Sequence, residues 1–126
     1  MNRITIVAGN ISMEVDLNDS PTARKLFDAL PIEGNANIWG DEVYFEIPVL
    51  AEQEAGSRAD VRVGELGYWP VGRAFYFFFG PTPASTDQQP RAASPVNILG
   101  QVMGDATQFR GVQQGTKVTI QHKEMV

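Results

Sequence analysis

At 126 residues, with a hydrophobic share of 43%, the chain has the size of one domain with a real core, and its composition excludes a disordered chain. A net charge of −5 repels phosphate backbones and anionic bilayers, so nucleic acid and membrane are not expected partners. With no cysteine, a disulfide framework, a thiolate zinc site and a cysteine nucleophile are excluded.

From the N-terminus, Arg3 to Val7 is a β-rich run and Ala8-Gly9-Asn10 a turn. Ile11, Met13, Val15 and Leu17 then alternate with Ser12, Glu14 and Asp16, the period of a half-buried strand hairpinned to the first. Polar residues interrupt Met1 to Val15, so it lacks the apolar core of a secretory signal. No later stretch reaches the roughly 20 apolar residues of a membrane helix, and the expected location is the cytoplasm. Ser20 can cap a helix that Pro21 opens. Ala23, Leu26, Phe27 and Leu30 form one apolar stripe, and Pro31 ends the helix, predicted over about 21–30.

Ile32 to Gly40 reads as a loop closing on Trp39. Glu42 to Pro48 reads as a strand with Val43, Phe45 and Ile47 on one face and Glu42, Tyr44 and Glu46 on the other. Ala51 to Arg58 is a charged linker, Asp60 to Glu65 a short strand, and 67–72 a turn carrying Tyr68 and Trp69. Arg73 to Phe79 is a strand whose five consecutive aromatics must divide between its faces: Phe75, Phe77 and Phe79 against Tyr76 and Phe78. Ala84 to Pro95 reads as a surface loop, Val96 to Met103 as a strand broken by Gly100, Asp105 to Arg110 as one helical turn, and Thr116 to Gln121 as the last strand. About eight short strands with turns every eight to twelve residues and one helix predict a mainly β fold, a closed barrel of one domain over 1–126. Closure removes the edges that such apolar strands would otherwise present.

Three segments resemble the cyclophilin family in order. ISMEVDLNDSPTARKLFDAL (11–30) is similar to its opening strand and helix, although Thr22 directly follows Pro21 where the family usually has one residue between. RAFYFFFGPTP (73–83) is similar to its S-Q-F-F-I strand and following T-P, and VNILGQVMGD (96–105) to its H-V-V-F-G-K-V-x-x-G. Trp39 to Phe45, Gly67 to Pro70 and Phe79 to Pro83 further resemble signatures of small prokaryotic cyclophilin-like proteins of uncharacterised function. The resemblance implies the cyclophilin-like barrel without an assigned reaction. The family's arginine, which weakens the prolyl amide's double-bond character, has no counterpart. Aligning on Pro48 puts Phe45 at that position but turns Glu42 and Glu46 into the barrel, at a cost on the order of several kcal/mol each. A one-residue slip puts Glu46 there and sends Val43, Phe45 and Ile47 inward; this is the preferred register. Ala84 stands at the family's tryptophan, its histidine near Val96 is missing, and Tyr76 matches its pocket phenylalanine.

The candidate ligand-binding residues are therefore Tyr76 and Phe78 on the outer face, Tyr44 and Glu46 beside them, the aromatics Trp39, Tyr68 and Trp69, and Thr82 of the T-P. Glu42 and Glu46 lie roughly 13 Å apart along the strand, too far for a glycosidase pair. His122, the only histidine, has no clustered partners, so neither a metal nor a cofactor is expected. The expected function is binding of a small molecule or peptide in an aromatic pocket on the barrel's outer face. The alternatives are a weak prolyl isomerase and an unrecognised enzyme using Glu46 with Tyr44 or Tyr76. Self-association through apolar patches is a further partner expectation.

Overall fold

The structure is a computed structural model describing residues 2–123; Met1 and 124–126 of the predicted domain lie outside the described residues. β1 (Arg3–Ala8) and β2 (Ile11–Leu17) form the predicted hairpin, turning at Gly9 with φ +61°. Their alternation buries Ile4, Ile6, Met13, Val15 and Leu17 on one face. α1 (Pro21–Ala29) follows, with the Ser20 side chain accepting from the Ala23 N–H at 3.3 Å. Thr22, Ala23 and Leu26 face the core and Leu30 closes the stripe, while Phe27 is only partly buried.

The segment read as a loop after the helix is two short strands, β3 (Ile32–Asn35) and β4 (Asn37–Ile38). β5 (Glu42–Glu46) pairs with β4. The short strand expected over 60–65 is displaced: β6 (Arg58–Asp60) ends where it was to begin, and a turn through Gly64, φ +91°, leads into β7 (Glu65–Trp69). β7 takes up the first half of the predicted aromatic turn, including Tyr68 and Trp69. It is a strand because Leu66 and Tyr68 alternate inward, a pattern the neighbouring Gly67, Trp69 and Pro70 conceal. β8 (Ala74–Phe78) holds the aromatic run. β9 (Arg91–Val102) begins inside the predicted loop 84–95, since Ala92 and Val96 are buried. Pro95 is tolerated there because it falls in the register gap between Arg58/Val96 and Asp60/Arg91. The predicted helical turn is a 3-10 helix over Ala106–Gly111, and β10 (Lys117–His122) is the last strand.

The main sheet runs β3-β10-β1-β2-β9-β7-β8-β5-β4, with β6 added to β9. The fold is mainly β with one α-helix, as expected, and departs from the expected closed barrel of about eight strands in detail: among the described residues there are ten strands, and the two edges, β3 and β4, are not hydrogen-bonded to each other. They are consecutive pieces of chain joined by Ala36, so the ring closes through the backbone. Ala36 is anchored on both sides, its N–H donating to Thr116 O and its carbonyl accepting from Gly115 N–H, each at 2.8 Å. Gly34 explains why the segment reads as loop: a Cβ there would lie 2.3 Å from the Phe45 ring, so glycine is what lets β3 cross β5.

The core inside this wrapped sheet holds Val43, Phe45, Ile47, Phe75, Phe77 and Phe79, with Phe109 against Phe77 at 4.6 Å between ring centroids. The preferred inward face of β5 is therefore the observed one. One end is capped by the segment after β5. Tyr68 Oη donates to Val49 O, Asn97 Nδ2 to Glu52 O at 2.9 Å, and Glu54 N–H to Asn97 Oδ1 at 2.8 Å. The Glu54 carboxylate accepts from the Thr22 N–H in the first turn of α1 at 3.0 Å. Among the described residues, no helix is long and apolar enough to cross a membrane.

Candidate functional site

β5 and β8 run antiparallel with Glu42 opposite Phe78, Tyr44 opposite Tyr76 and Glu46 opposite Ala74. Since Val43, Phe45, Phe75 and Phe77 point inward, these six residues share the outer face. The Tyr44 and Tyr76 rings stack across the strands with centroids 5.3 Å apart and planes 21° apart. Tyr76 and Phe78 stack along β8 at 5.8 Å and 4°. Three near-parallel rings thus form an aromatic shelf, an arrangement that cross-strand aromatic pairing favours.

The shelf is unevenly covered. Phe78 is 1% exposed, packed in a second, smaller apolar cluster with Val61, Ala92 and Val96. The cover comes from the first half of β9 and the residue after β6, not from the helix. Gly67 makes room for it: a Cβ there would come within 2.7 Å of Val96. Tyr44 and Tyr76 remain half-buried. Beside Tyr76, Trp69 and residues Ala92, Ala93, Ser94 and Val96 of β9 enclose a crevice of about 40 Å³. That is far below the few hundred Å³ of a drug-sized site and suits the end of one small group.

The other candidates divide. Trp69 lines the crevice, as above. Tyr68 does not belong to the site: it is fully buried on the inward face of β7, because the segment is a strand and not a turn. Thr82 is buried and structural, its Oγ1 donating to Arg91 O and accepting from the Ala84 N–H at 3.2 Å. Trp39 is half-buried, its N–H donating to Glu42 O at 3.0 Å, and it is not among the crevice residues. Glu46 is exposed at the far end of the face, opposite Ala74, and does not sit in the apolar pocket expected for it.

The buried carboxyl on this face is Glu42, four residues earlier. It is 1% exposed, and its Oε1 has no hydrogen-bond partner, the one such buried side-chain atom among the described residues. The start of β5 is closed over by the segment after β8: Asp41 N–H donates to Pro81 O at 3.0 Å, and a Cβ on Gly40 would lie 2.8 Å from Pro83. Burial without a partner pushes the Glu42 pKa up to about 8. Tyr76 is pushed up to about 12, first by burial, then by Glu42 and Tyr44 nearby. The carboxyl and the shelf's central phenol therefore act on each other. Strand alternation placed Glu42 on the outer face; nothing in the local pattern indicates that it is buried there.

Among the described residues, no group of three or more His, Asp or Glu side chains could hold a metal ion. The chain matches the family model described as cyclophilin-like over residues 2–121. It is 38% identical to a hypothetical protein from Archaeoglobus fulgidus whose solution structure is known, covering 97% of this chain and 95% of that one, with a TM-score of 0.81. No curated protein matches.

Proposed function

The chain belongs to the cyclophilin-like family, and on that premise we propose that it is a binding domain whose outer-face shelf takes one small apolar or heterocyclic group. That group is a free small molecule or a side chain presented on a peptide loop. The observation that carries this reading is the crevice lined by Trp69, the half-buried Tyr76, Val96 and the small residues Ala92, Ala93 and Ser94. Titration of 15N-labelled protein with N-acetylproline amide, proline tetrapeptides and indole tests it. The expected result is shifts confined to Trp69, Tyr76, Ala93 and Ser94, and affinity reduced roughly tenfold in Trp69→Ala. Absence of localised shifts at millimolar ligand overturns the proposal.

Prolyl isomerisation is not part of this reading. The outward positions of β5 are Glu42, Tyr44 and Glu46, so no cation stands where one could donate to a prolyl amide nitrogen. A proline-peptide isomerisation assay is expected to return the uncatalysed rate.

A further inference from the structure

A cavity of about 530 Å³ lies between β6, with the turn that follows it, and the segment that leads into β9. It shares no residue with the crevice beside Tyr76, and its volume is in the range of small-ligand sites. Its walls are tied together. Val61 N–H donates to Pro90 O at 3.2 Å, Ser85 Oγ to Gln89 O at 2.7 Å, and Thr82 Oγ1 to Arg91 O. Val61, which belongs to the small apolar cluster with Phe78, gives the cavity an apolar side.

Positive charge is concentrated here. The chain has a net charge of −5, yet three of its ten Lys and Arg residues line this one cavity: Arg58, Arg62 and Arg91. Their situations differ. Arg58 is occupied by Glu65, donating to its two carboxylate oxygens at 2.9 and 2.7 Å. That pair braces the turn, since Glu65 Oε1 also accepts from the Arg62 N–H at 2.7 Å. The Arg62 guanidinium takes part in no ion pair among the described residues. Arg91 meets Asp60 at 3.2 Å, and the Asp60 side chain is 82% exposed. So exposed a pair is weak, whereas an oxyanion shared by two guanidinium groups gains charge-assisted bonds from both. Asp87, the other acidic group of the lining, is held within its own loop, accepting from the Gln89 N–H at 2.8 Å.

We propose that this cavity is a site for a small organic oxyanion, a carboxylate or a phosphate ester, gripped by Arg62 and Arg91. Asp60 is its internal competitor, occupying Arg91 until the ligand displaces it. The ligand's carbon skeleton lies against Val61 and Pro90. This is a second site, independent of the crevice.

The test is titration of the 15N-labelled full chain with phenyl phosphate and with benzoate, using benzamide as the neutral isostere and following the arginine Nε–Hε signals and the backbone amides. Both anions are expected to shift Arg62, Arg91, Thr86 and Gln89, and benzamide to leave them unmoved. The tighter of the two anions tells whether the site suits a phosphate ester or a carboxylate. Arg62→Gln and Arg91→Gln are each expected to weaken anion binding at least about fivefold. Asp60→Asn is expected to tighten it about two- to fivefold by removing the competitor. Asp19→Asn, the same charge change at an exposed position outside the cavity, is expected to leave it unchanged. Arg62, Arg91 and Asp60 are exposed, so these variants keep the fold, which unchanged core amide shifts verify. Equal response to benzamide and benzoate, or no gain of affinity in Asp60→Asn beyond that in Asp19→Asn, overturns the proposal. Shifts confined to Trp69 and Tyr76 overturn it while supporting the crevice; shifts at Arg62 and Arg91 without them support this site alone.

Discussion

Glu42 has a folded-state pKa of about 8 against 4.5 for the free side chain, so between those values the folded protein binds a proton that the unfolded chain has released. The sign follows from linkage: stability is greatest below pH 4.5, declines as pH rises through the window, and is flat with respect to this group above about 8. A displacement of this size corresponds to on the order of 5 kcal/mol across the window. Urea denaturation of the protein and of Glu42→Gln at pH 5, 7 and 9 isolates this term, because other groups titrate in both. The variant is expected to match the parent near pH 5 and exceed it by several kcal/mol at pH 9. Parallel curves would show that the Glu42 carboxyl is hydrated in solution. This residue also marks a limit of sequence reading. A period of two tells which face of β5 a side chain occupies, and it correctly separates Val43 and Phe45 from Glu42, Tyr44 and Glu46. It cannot tell which outward residue is covered, because that depends on other parts of the chain, such as Pro81 to Pro83, which pack on Gly40 and Asp41 just before the strand.

At the level of elements, the legible parts are those whose reasons are local. The helix has its own cap at Ser20, its own starter at Pro21 and its own apolar stripe, and its observed span stays within one residue of the prediction. β7 has no such local signal: Tyr68 and Trp69 beside Pro70 look like turn furniture, and only pairing with β8 and β9 makes the segment a strand. That pairing sends the two aromatics to opposite faces, Trp69 to the crevice and Tyr68 to the core. Two variants separate their roles. Tyr68→Phe removes the hydroxyl that donates to Val49 O, leaving a buried carbonyl short of a partner, and is expected to cost about 1–2 kcal/mol in denaturant melts. Its affinity for any ligand of the shelf should stay within twofold of the parent. Trp69→Ala should do the reverse, weakening binding with little loss of stability, since Trp69 is only half-buried. A binding defect in Tyr68→Phe would mean that the cap over the barrel end and the outer face are coupled.

For the whole molecule, the question is how a sheet whose edge strands do not pair still encloses a core. β3 bonds to β10 and β4 to β5, and the single residue between them carries the chain from one end of the sheet to the other. Closure therefore depends less on a hydrogen-bond ladder than on how tightly this bent segment lies over β5. The contact that sets this distance is Gly34 on the Phe45 ring, and it is specific enough to test. Gly34→Val places a branched side chain where a Cβ alone would stand 2.3 Å from Phe45 Cδ2, so either the ring or β3 must move. Overpacking of this kind is expected to cost about 3 kcal/mol. Phe45→Val removes the colliding ring atoms at a cost of roughly 2–3 kcal/mol for the lost core volume. If the ring contact governs closure, the two changes are compensatory, and the double variant is more stable than the sum of the single losses by at least about 1 kcal/mol. Strict additivity would mean that Gly34 serves the bend of the chain and not the approach of β3 to β5. The closed shape would then rest on the bonds around Ala36 and the two ladders that flank it.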